Sequence, residues 1–159
     1  MTINDYNFEF GTRNLKSMNY SYTYPRPAVT VDAILFSKQQ SVLLIERGRE
    51  PFKGKWALPG GFIEMDESLE VACLRELEEE TGIRVGELKQ FKAYGAVDRD
   101  PRHRTISVLF YAFTDEELIA CAGDDAAKAK WFPINELPEL AFDHHLILEE
   151  FKKEILRLL

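Results

Sequence analysis

Four glutamates lie within five consecutive positions of one predicted helix, and their placement suits the binding of cations. They occur with one arginine in the stretch 75–82 (RELEEETG). A helical repeat of 3.6 residues puts Leu69 and Leu77 on one buried stripe. The same repeat puts Glu76 and Glu80 beside that stripe, whereas side chains that are merely solvated would lie opposite it. The pattern therefore predicts two carboxylates held close to the core.

Clustered carboxylates cost a helix stability, and a bound divalent cation would relieve that cost. Like charges three or four residues apart, such as Glu76 with Glu79 and Glu80, destabilise a helix by roughly 0.2–0.5 kcal/mol a pair. Acidic side chains in the last turn also oppose the helix dipole. Carboxylate oxygens are hard ligands that suit Mg²⁺ or Mn²⁺, and these ions also bind phosphate oxygens and water. The alternative to a metal site is a charged helix end that pairs with basic neighbours, with Arg75 among them.

A mixed β-sheet between α-helices, an α/β (α+β) class, is the fold that the order of elements predicts. Two apolar runs parted by a polar turn indicate a hairpin, and a turn at 59–61 (PGG) then leads to the glutamate helix. That helix is predicted from Asp66, its N-cap, to Thr81, with Gly82 as the stop. Strands are predicted over residues 28–36, 42–45, 88–97, 105–113 and 129–133. A closing helix from about Asp143 is predicted to bury a face made of Leu146, Ile147, Phe151, Ile155 and Leu158.

The composition fits one acidic domain and excludes some classes of partner. The 159 residues carry 27 acidic and 20 basic side chains, for a net charge of −7. Nucleic acid and anionic membranes favour positive charge, so neither is expected as the main partner. The sequence has neither an apolar run long enough to span a bilayer nor the pattern of a signal peptide, so a cytoplasmic location is expected.

The first 25 residues differ in composition from the rest and form an aromatic-rich arm. Aromatic side chains recur there at every second position, at Phe8 and Phe10 and at Tyr20, Tyr22 and Tyr24. A period of two favours an extended chain. An edge strand, a frayed arm and an arm across a dimer partner all fit this pattern. Residues 26–159 are expected to form the globular domain.

The spacing of residues 61–83 resembles the Nudix box at every defined position of that motif. The matching residues are Gly61, Glu67, Arg75, Glu76, Leu77, Glu79, Glu80, Gly82 and Ile83. The resemblance implies the Nudix fold and hydrolysis of the pyrophosphate bond in a nucleoside diphosphate linked to another moiety, with Mg²⁺ or Mn²⁺ as cofactor. The implied metal ligands are Glu76, Glu79, Glu80 and the carbonyl of Gly60. Arg75 is implied to orient a glutamate, and Glu67 to support the junction of loop and helix.

An arginine-rich loop at 99–104 (RDPRHR) resembles a loop of bacterial ADP-ribose pyrophosphatase-like Nudix proteins. The segment 141–144 (AFDH) has the same resemblance. Arginine suits phosphate because it donates two parallel hydrogen bonds. The candidate substrate-binding residues are Arg47, Arg99, Arg102 and Arg104. The alternative is a solvated loop between two strands.

Three functions are compatible with these residues. The preferred one is hydrolysis of ADP-ribose to AMP and ribose 5-phosphate by a homodimer. The others are a MutT-like pyrophosphatase acting on (d)NTPs and a non-catalytic sensor that binds ADP-ribose. Trp56 either packs in the core or stacks on a base, and His144 either starts a helix or contacts the ligand. Cys73 is expected to be a small apolar core residue.

Overall fold

The computed structural model describes residues 22–123 and 126–158. The predicted aromatic arm therefore lies, but for its last four residues, outside the described residues. The strands are β1 (Ala28–Ser37), β2 (Ser41–Arg47), β3 (Trp56–Ala57), β4 (Gly60–Phe62), β5 (Lys89–Tyr94), β6 (Thr105–Thr114) and β7 (Ala126–Pro133). The helices are α1 (Leu69–Thr81), α2 (His144–Glu154) and a short 3₁₀ helix, Leu156–Leu158.

One mixed sheet contains the strands of the described residues, with β1 near its centre. The main path runs β3-β2-β1-β6-β5, while β4 pairs with β1 and β7 pairs with β2. The long pairing of β1 with β6 is parallel, and the other pairings are antiparallel. Parallel neighbours need a crossover connection, and the segment that contains α1 supplies it.

The two faces of β1 contact different helices. Val31, Ala33 and Leu35 belong to the same buried cluster as the inner face of α1. Ile34 and Phe36 belong to a second cluster that includes the inner face of α2. Because side chains alternate along a strand, each helix covers one face of the sheet. This arrangement confirms the predicted mixed sheet between helices.

The start of α1 was predicted two residues too early. The helix begins at Leu69, and Ser68, not Asp66, is the N-cap. Ser68 has extended backbone angles (φ −78°, ψ 163°), and its hydroxyl accepts a 3.3 Å hydrogen bond from the backbone N–H of Val71. Asp66 lies in the turn before it. Gly82 ends the helix in the left-handed conformation (φ 69°), as predicted.

Replacing Ser68 by Ala is expected to lower the melting temperature by roughly 2–4 °C, because an N-cap hydroxyl contributes about 1 kcal/mol. Asp66→Ala is the matched control, since its carboxylate does not cap the helix, and it is expected to change the melting temperature by less than about 1 °C. Thermal unfolding of both variants measures the difference. A larger loss for Asp66→Ala would mean that the helix begins where the sequence alone indicated.

The buried face of α2 also differs from the prediction. Its buried residues are His144, Ile147, Leu148 and Phe151. Leu146 is 63 % exposed, so its assignment to this face was wrong. The reason is that residues at i, i+3, i+4 and i+7 share a face, and here the series starts from His144. The side chain of Leu158 lies outside the described residues.

Two strand ends differ from the predicted ones as well. β5 stops at Tyr94, three residues early, because the chain then turns and the carbonyl of Ala96 accepts a hydrogen bond from the N–H of Arg99. β7 begins three residues earlier than predicted, at Ala126, where it pairs with Arg47.

Within the described part of the chain, no helix has the length and apolar character needed to cross a membrane.

Candidate active site

The start of β4, Gly60 and Gly61, lies directly against the glutamate helix α1, and we call this pair the glycine turn. Gly60 and Gly61 pair with Asp32 and Val31 of β1. A Cβ atom added to Gly60 would lie 2.2 Å from the carbonyl oxygen of Val31, and one added to Gly61 would lie 2.6 Å from the carboxyl group of Glu76. At Gly60 a side chain would collide with backbone, so only glycine fits there, whereas a side chain at Gly61 would displace the carboxyl group of Glu76.

Glu80 is held against this turn by a hydrogen bond. Its Oε2 accepts a 2.9 Å hydrogen bond from the backbone N–H of Gly60. Burial of the carboxyl group, together with repulsion from Glu76 and Asp32, raises the pKa of Glu80 to about 8. Burial likewise raises the pKa of Glu76. Both carboxyl groups lie where a positive charge would stabilise their ionised forms.

Arg75 binds three carboxylates, those of Glu67, Glu76 and Glu79. Its Nε and Nη2 donate to the two oxygens of Glu67, at 3.0 and 2.7 Å. Its Nη1 donates to Glu76 (2.7 Å) and to Glu79 (3.1 Å). Hydrogen bonding to Arg75 lowers the pKa of Glu67. Glu67 also accepts a hydrogen bond from the N–H of Glu64, which fixes the loop before α1.

The donor set of Glu76, Glu79 and Glu80 suits a hard divalent cation. All its oxygens belong to carboxylates, and the charge of Glu76 is poorly solvated because that side chain is only 16 % exposed, whereas Glu79 is 43 % exposed. Among residues 22–123 and 126–158, no three acidic, His or Cys side chains converge as a closed metal site. Here the carboxylates pair with Arg75 and with the N–H of Gly60 instead. The three glutamates therefore have the ligand type that a divalent cation prefers, but their carboxylates do not converge on a single point.

The structure separates the three arginines of the 99–104 loop. Arg99 is buried and donates twice to Asp143, at 2.9 and 2.7 Å. Arg102 donates from Nε and Nη2 to Asp100, at 3.0 and 2.7 Å. The exposed Arg104 donates to the carbonyl of Ala96, at 3.0 Å. They do not form one cationic patch.

Arg47, at the end of β2, lies near Arg102 and the glutamates. Its Nε donates to the carbonyl of Pro51, at 2.8 Å, and its Cζ lies 4.8 Å from the centre of the Phe142 ring. Burial and the positive charge of Arg102 lower the pKa of Arg47, while Glu80 acts in the opposite direction. The structure therefore brings Arg47, Arg102 and Glu80 into one region.

A buried contact between Asp32 and Ser107, next to Gly60, was not predicted from the sequence. The Ser107 hydroxyl donates to Asp32 Oδ2, and Asp32 Oδ1 lies 3.8 Å from His144 Nε2. Nδ1 of His144 accepts a 2.9 Å hydrogen bond from the N–H of Leu58. Burial lowers the pKa of His144, which favours its neutral form. A polar residue inside an apolar strand (AVTVDAILF, TISVLFYAF) was the available signal for Asp32 and Ser107.

Trp56 and Cys73 each lie in one of the two buried clusters described above. Trp56 packs edge-on against Phe132, with ring centres 4.6 Å apart. Cys73 is fully buried on the inner face of α1. Both positions are consistent with core packing.

Comparison with known proteins places this chain in a family. A model of the NUDIX domain matches residues 26–157. The chain is 45 % identical over 131 residues to an ADP-ribose pyrophosphatase of Methanocaldococcus jannaschii, covering 82 % of this chain and 76 % of that protein. It is 37 % identical over 134 residues to the ADPR responsive transcriptional repressor NtrR of Acinetobacter baylyi, covering 80 % of this chain but only 54 % of the repressor.

A solved structure is similar in both fold and sequence. It is the NUDIX domain of Shewanella oneidensis NrtR complexed with ADP ribose, with a TM-score of 0.77 and 35 % identity. The match covers 89 % of this chain and 95 % of that one. The chain therefore belongs to the NUDIX domain family. Within that family it is a pyrophosphohydrolase, of a class that works with a divalent cation.

Proposed function

We propose that this chain hydrolyses ADP-ribose to AMP and ribose 5-phosphate with Mg²⁺ or Mn²⁺. The observation that carries the proposal is the approach of the Glu76 and Glu80 carboxyl groups to the glycine turn, with Arg47 close enough to interact electrostatically with both Glu80 and Arg102. Similarity to the archaeal ADP-ribose pyrophosphatase supports the choice of substrate. The reaction adds water to one phosphorus and breaks its bond to the bridging oxygen, so each product carries one phosphate.

The proposed cation ligands are the helix carboxylates and one carbonyl: Glu76, Glu79, Glu80 and Gly60. A bound divalent cation would neutralise charge on the pyrophosphate and activate water. Arg75 holds Glu76 and Glu79 in their rotamers, and Glu67 holds Arg75 in turn. These bonds keep the carboxylates of Glu76 and Glu79 close together on α1 before a cation binds.

The proposed substrate contacts divide the four candidate arginines. Arg47 and Arg102 are proposed to bind the phosphates, because they lie together near Glu80. Arg99 is proposed to act indirectly, since its bonds to Asp143 fix one end of the loop. Arg104, at the other end and exposed, is proposed to contact the terminal ribose phosphate side of the ligand.

Product analysis across a small panel tests the proposed substrate. The panel contains ADP-ribose, a sugar nucleotide, NADH, dGTP and 8-oxo-dGTP, each with Mg²⁺ or Mn²⁺. AMP from ADP-ribose well above the other products is the expected result. A preference for a triphosphate would retain the catalytic helix but replace the substrate by that of a MutT-like enzyme.

A sensor that binds ADP-ribose with little turnover is the second candidate, favoured by the similarity to NtrR. Binding of ADP-ribose by a wild-type protein that yields no product in the panel would establish it.

The homodimer and the cytoplasmic location remain predictions. Size-exclusion chromatography with light scattering tests the first of these.

Mg²⁺ or Mn²⁺ is expected to raise the melting temperature by roughly 5 °C at about 100 times its dissociation constant, because a ligand that binds the folded state stabilises it. Differential scanning calorimetry with and without the ion measures the shift. Glu78→Gln, which alters a carboxylate on the outer side of α1, is the matched control. This variant should show the same rise in melting temperature as the wild type. Absence of a shift with both ions, alone and with nucleotide, would contradict metal binding.

A further inference from the structure

Arg47 and Arg102 are joined by an aromatic ring that the mechanism above does not use. The Phe142 ring centre lies 4.8 Å from Cζ of Arg47 and 5.6 Å from Cζ of Arg102. On its other side, Arg102 lies 5.3 Å from the ring centre of Phe62, the residue after the glycine turn. We call Phe62, Arg102, Phe142 and Arg47 the guanidinium stack. It connects the end of β2 to the glycine turn.

The two guanidinium groups need such a partner because they repel each other. Arg102 disfavours the charged form of Arg47, and Arg47 is partly buried. The face of an aromatic ring carries partial negative charge and attracts cations within about 6 Å of its centre. Phe142 therefore offsets the repulsion while leaving the nitrogen edges of both groups available.

The backbone at Phe142 supports a special role for this side chain. Its φ angle is +52°, in the left-handed region that bulky residues rarely adopt. Such a strained conformation is common at functional sites. The neighbouring residues are fixed, since Asp143 binds Arg99 and His144 binds the N–H of Leu58. The two residues that follow Phe142 are thus anchored, which limits the movement of its backbone.

The hydrogen-bond donors that remain on the stack are suited to phosphate. Within the described residues, Arg47 uses only Nε, for the carbonyl of Pro51, so its Nη1 and Nη2 make no protein hydrogen bond. Arg102 uses Nε and Nη2 for Asp100, which leaves Nη1. Two guanidinium groups with donors left over, held by one ring, match two neighbouring phosphate groups.

We propose that Phe142 is a positioning residue that holds Arg47 and Arg102 as one binding site for two consecutive phosphate groups. The inference rests on the proposed function and deepens it, because it assigns recognition of the diphosphate to the stack. Phe142 touches the arginines, and the arginines touch the substrate. A loss of Phe142 is therefore expected to weaken binding of substrate more than it slows the chemical step.

Binding of inorganic pyrophosphate tests the proposal independently of the nucleotide. The parent protein is Glu80→Gln in metal-free buffer, so that neither turnover nor chelation interferes, and calorimetry measures the dissociation constant. Phe142→Leu in this background is expected to bind about tenfold more weakly, the scale set by losing two cation–π contacts. Phe142→Tyr, which keeps the ring, is expected to restore affinity. Phe113→Leu, an aromatic of β6 outside the stack, is the control and is expected to change nothing.

Kinetics of ADP-ribose hydrolysis give the second readout. In the wild-type background, Phe142→Leu is expected to raise KM about tenfold and to change kcat by less than about threefold, the pattern of lost ground-state binding. A merely structural role would lower the active fraction and kcat instead. Unchanged pyrophosphate affinity in Phe142→Leu, an equal loss in Phe113→Leu, or no pyrophosphate binding by the parent would overturn the inference. Failure of the wild type to cleave ADP-ribose would reject only the proposed substrate.

Discussion

Replacing Glu80 by Gln is expected to lower kcat by about 10²–10⁴-fold, since a metal-ligating carboxylate contributes several kcal/mol of charge stabilisation and each 1.36 kcal/mol is tenfold in rate. The substitution keeps an oxygen to accept the hydrogen bond from the N–H of Gly60. Steady-state hydrolysis of ADP-ribose with saturating Mg²⁺ measures the loss. Glu78→Gln, on the same helix but paired with the exposed Arg84, is the control and should remain active.

The same Glu80→Gln substitution is expected to stabilise the metal-free protein. The pKa of Glu80 is about 8 in the folded state against 4.5 as the ordinary value, so between these pH values the folded state binds more protons. Stability therefore falls as pH rises from about 4.5 to 8. At pH 8 the variant should melt at least about 3 °C above the wild type, the change that roughly 1 kcal/mol produces in a domain of this size.

Melting temperatures in EDTA at pH 5 and pH 8 test this dependence. The difference in melting temperature between Glu80→Gln and the wild type should grow with pH. Saturating Mg²⁺ should reduce this difference, because it stabilises the wild type. A variant that is active, or that melts below the wild type at pH 8, would mean that Glu80 is not the buried carboxylate of a cation site.

Replacing Arg99 by Met is expected to lower the melting temperature by roughly 10 °C. The two hydrogen bonds to Asp143 form an ion pair in which the Arg99 side chain is 4 % exposed. Removing one partner of a buried pair leaves an uncompensated charge and costs about 3–5 kcal/mol. Thermal unfolding measures the loss. Arg104→Met is the control, because that arginine is exposed, and it should change the melting temperature by less than about 2 °C.

The double variant Arg99→Met, Asp143→Leu separates stability from substrate binding. Because an apolar pair can replace a buried ion pair at little cost, the double variant should recover much of the lost stability. An Arg99→Met variant that kept its melting temperature but showed a higher KM would place the Arg99 guanidinium on the substrate instead of on Asp143.

Spacing along one helix was enough to predict where Glu76 and Glu80 lie on α1. Glu76 and Glu80 recur beside the apolar stripe of α1, and the structure turns both carboxyl groups toward the glycine turn. Their burial follows from local periodicity, which sequence alone contains. The start of the same helix was not predicted, because Asp66 and Ser68 are both good N-caps and only the backbone angles distinguish them.

Pairing between distant residues could not be predicted in the same way. The arginines of the 99–104 loop are visible as a cationic run, but Asp143, which pairs with Arg99, lies 44 residues away. Likewise, Asp32 and Ser107 stood out only as polar positions in apolar strands, and their separation of 75 positions along the chain hides their contact. The contact of Asp32 with Ser107 depends on the register of β1 with β6, which no local pattern encodes.

The bond between His144 and the N–H of Leu58 has a consequence for how the site is assembled. It closes a loop of 86 residues, from the turn beside the glutamates to the start of the last helix. Loops this long close late in folding, because their entropy is lost before the contact forms. On the ribosome the N-terminal part of the chain emerges first. The glutamate helix α1 is therefore synthesised well before α2, which carries His144. The order of synthesis therefore delays a complete site until the last helix has docked.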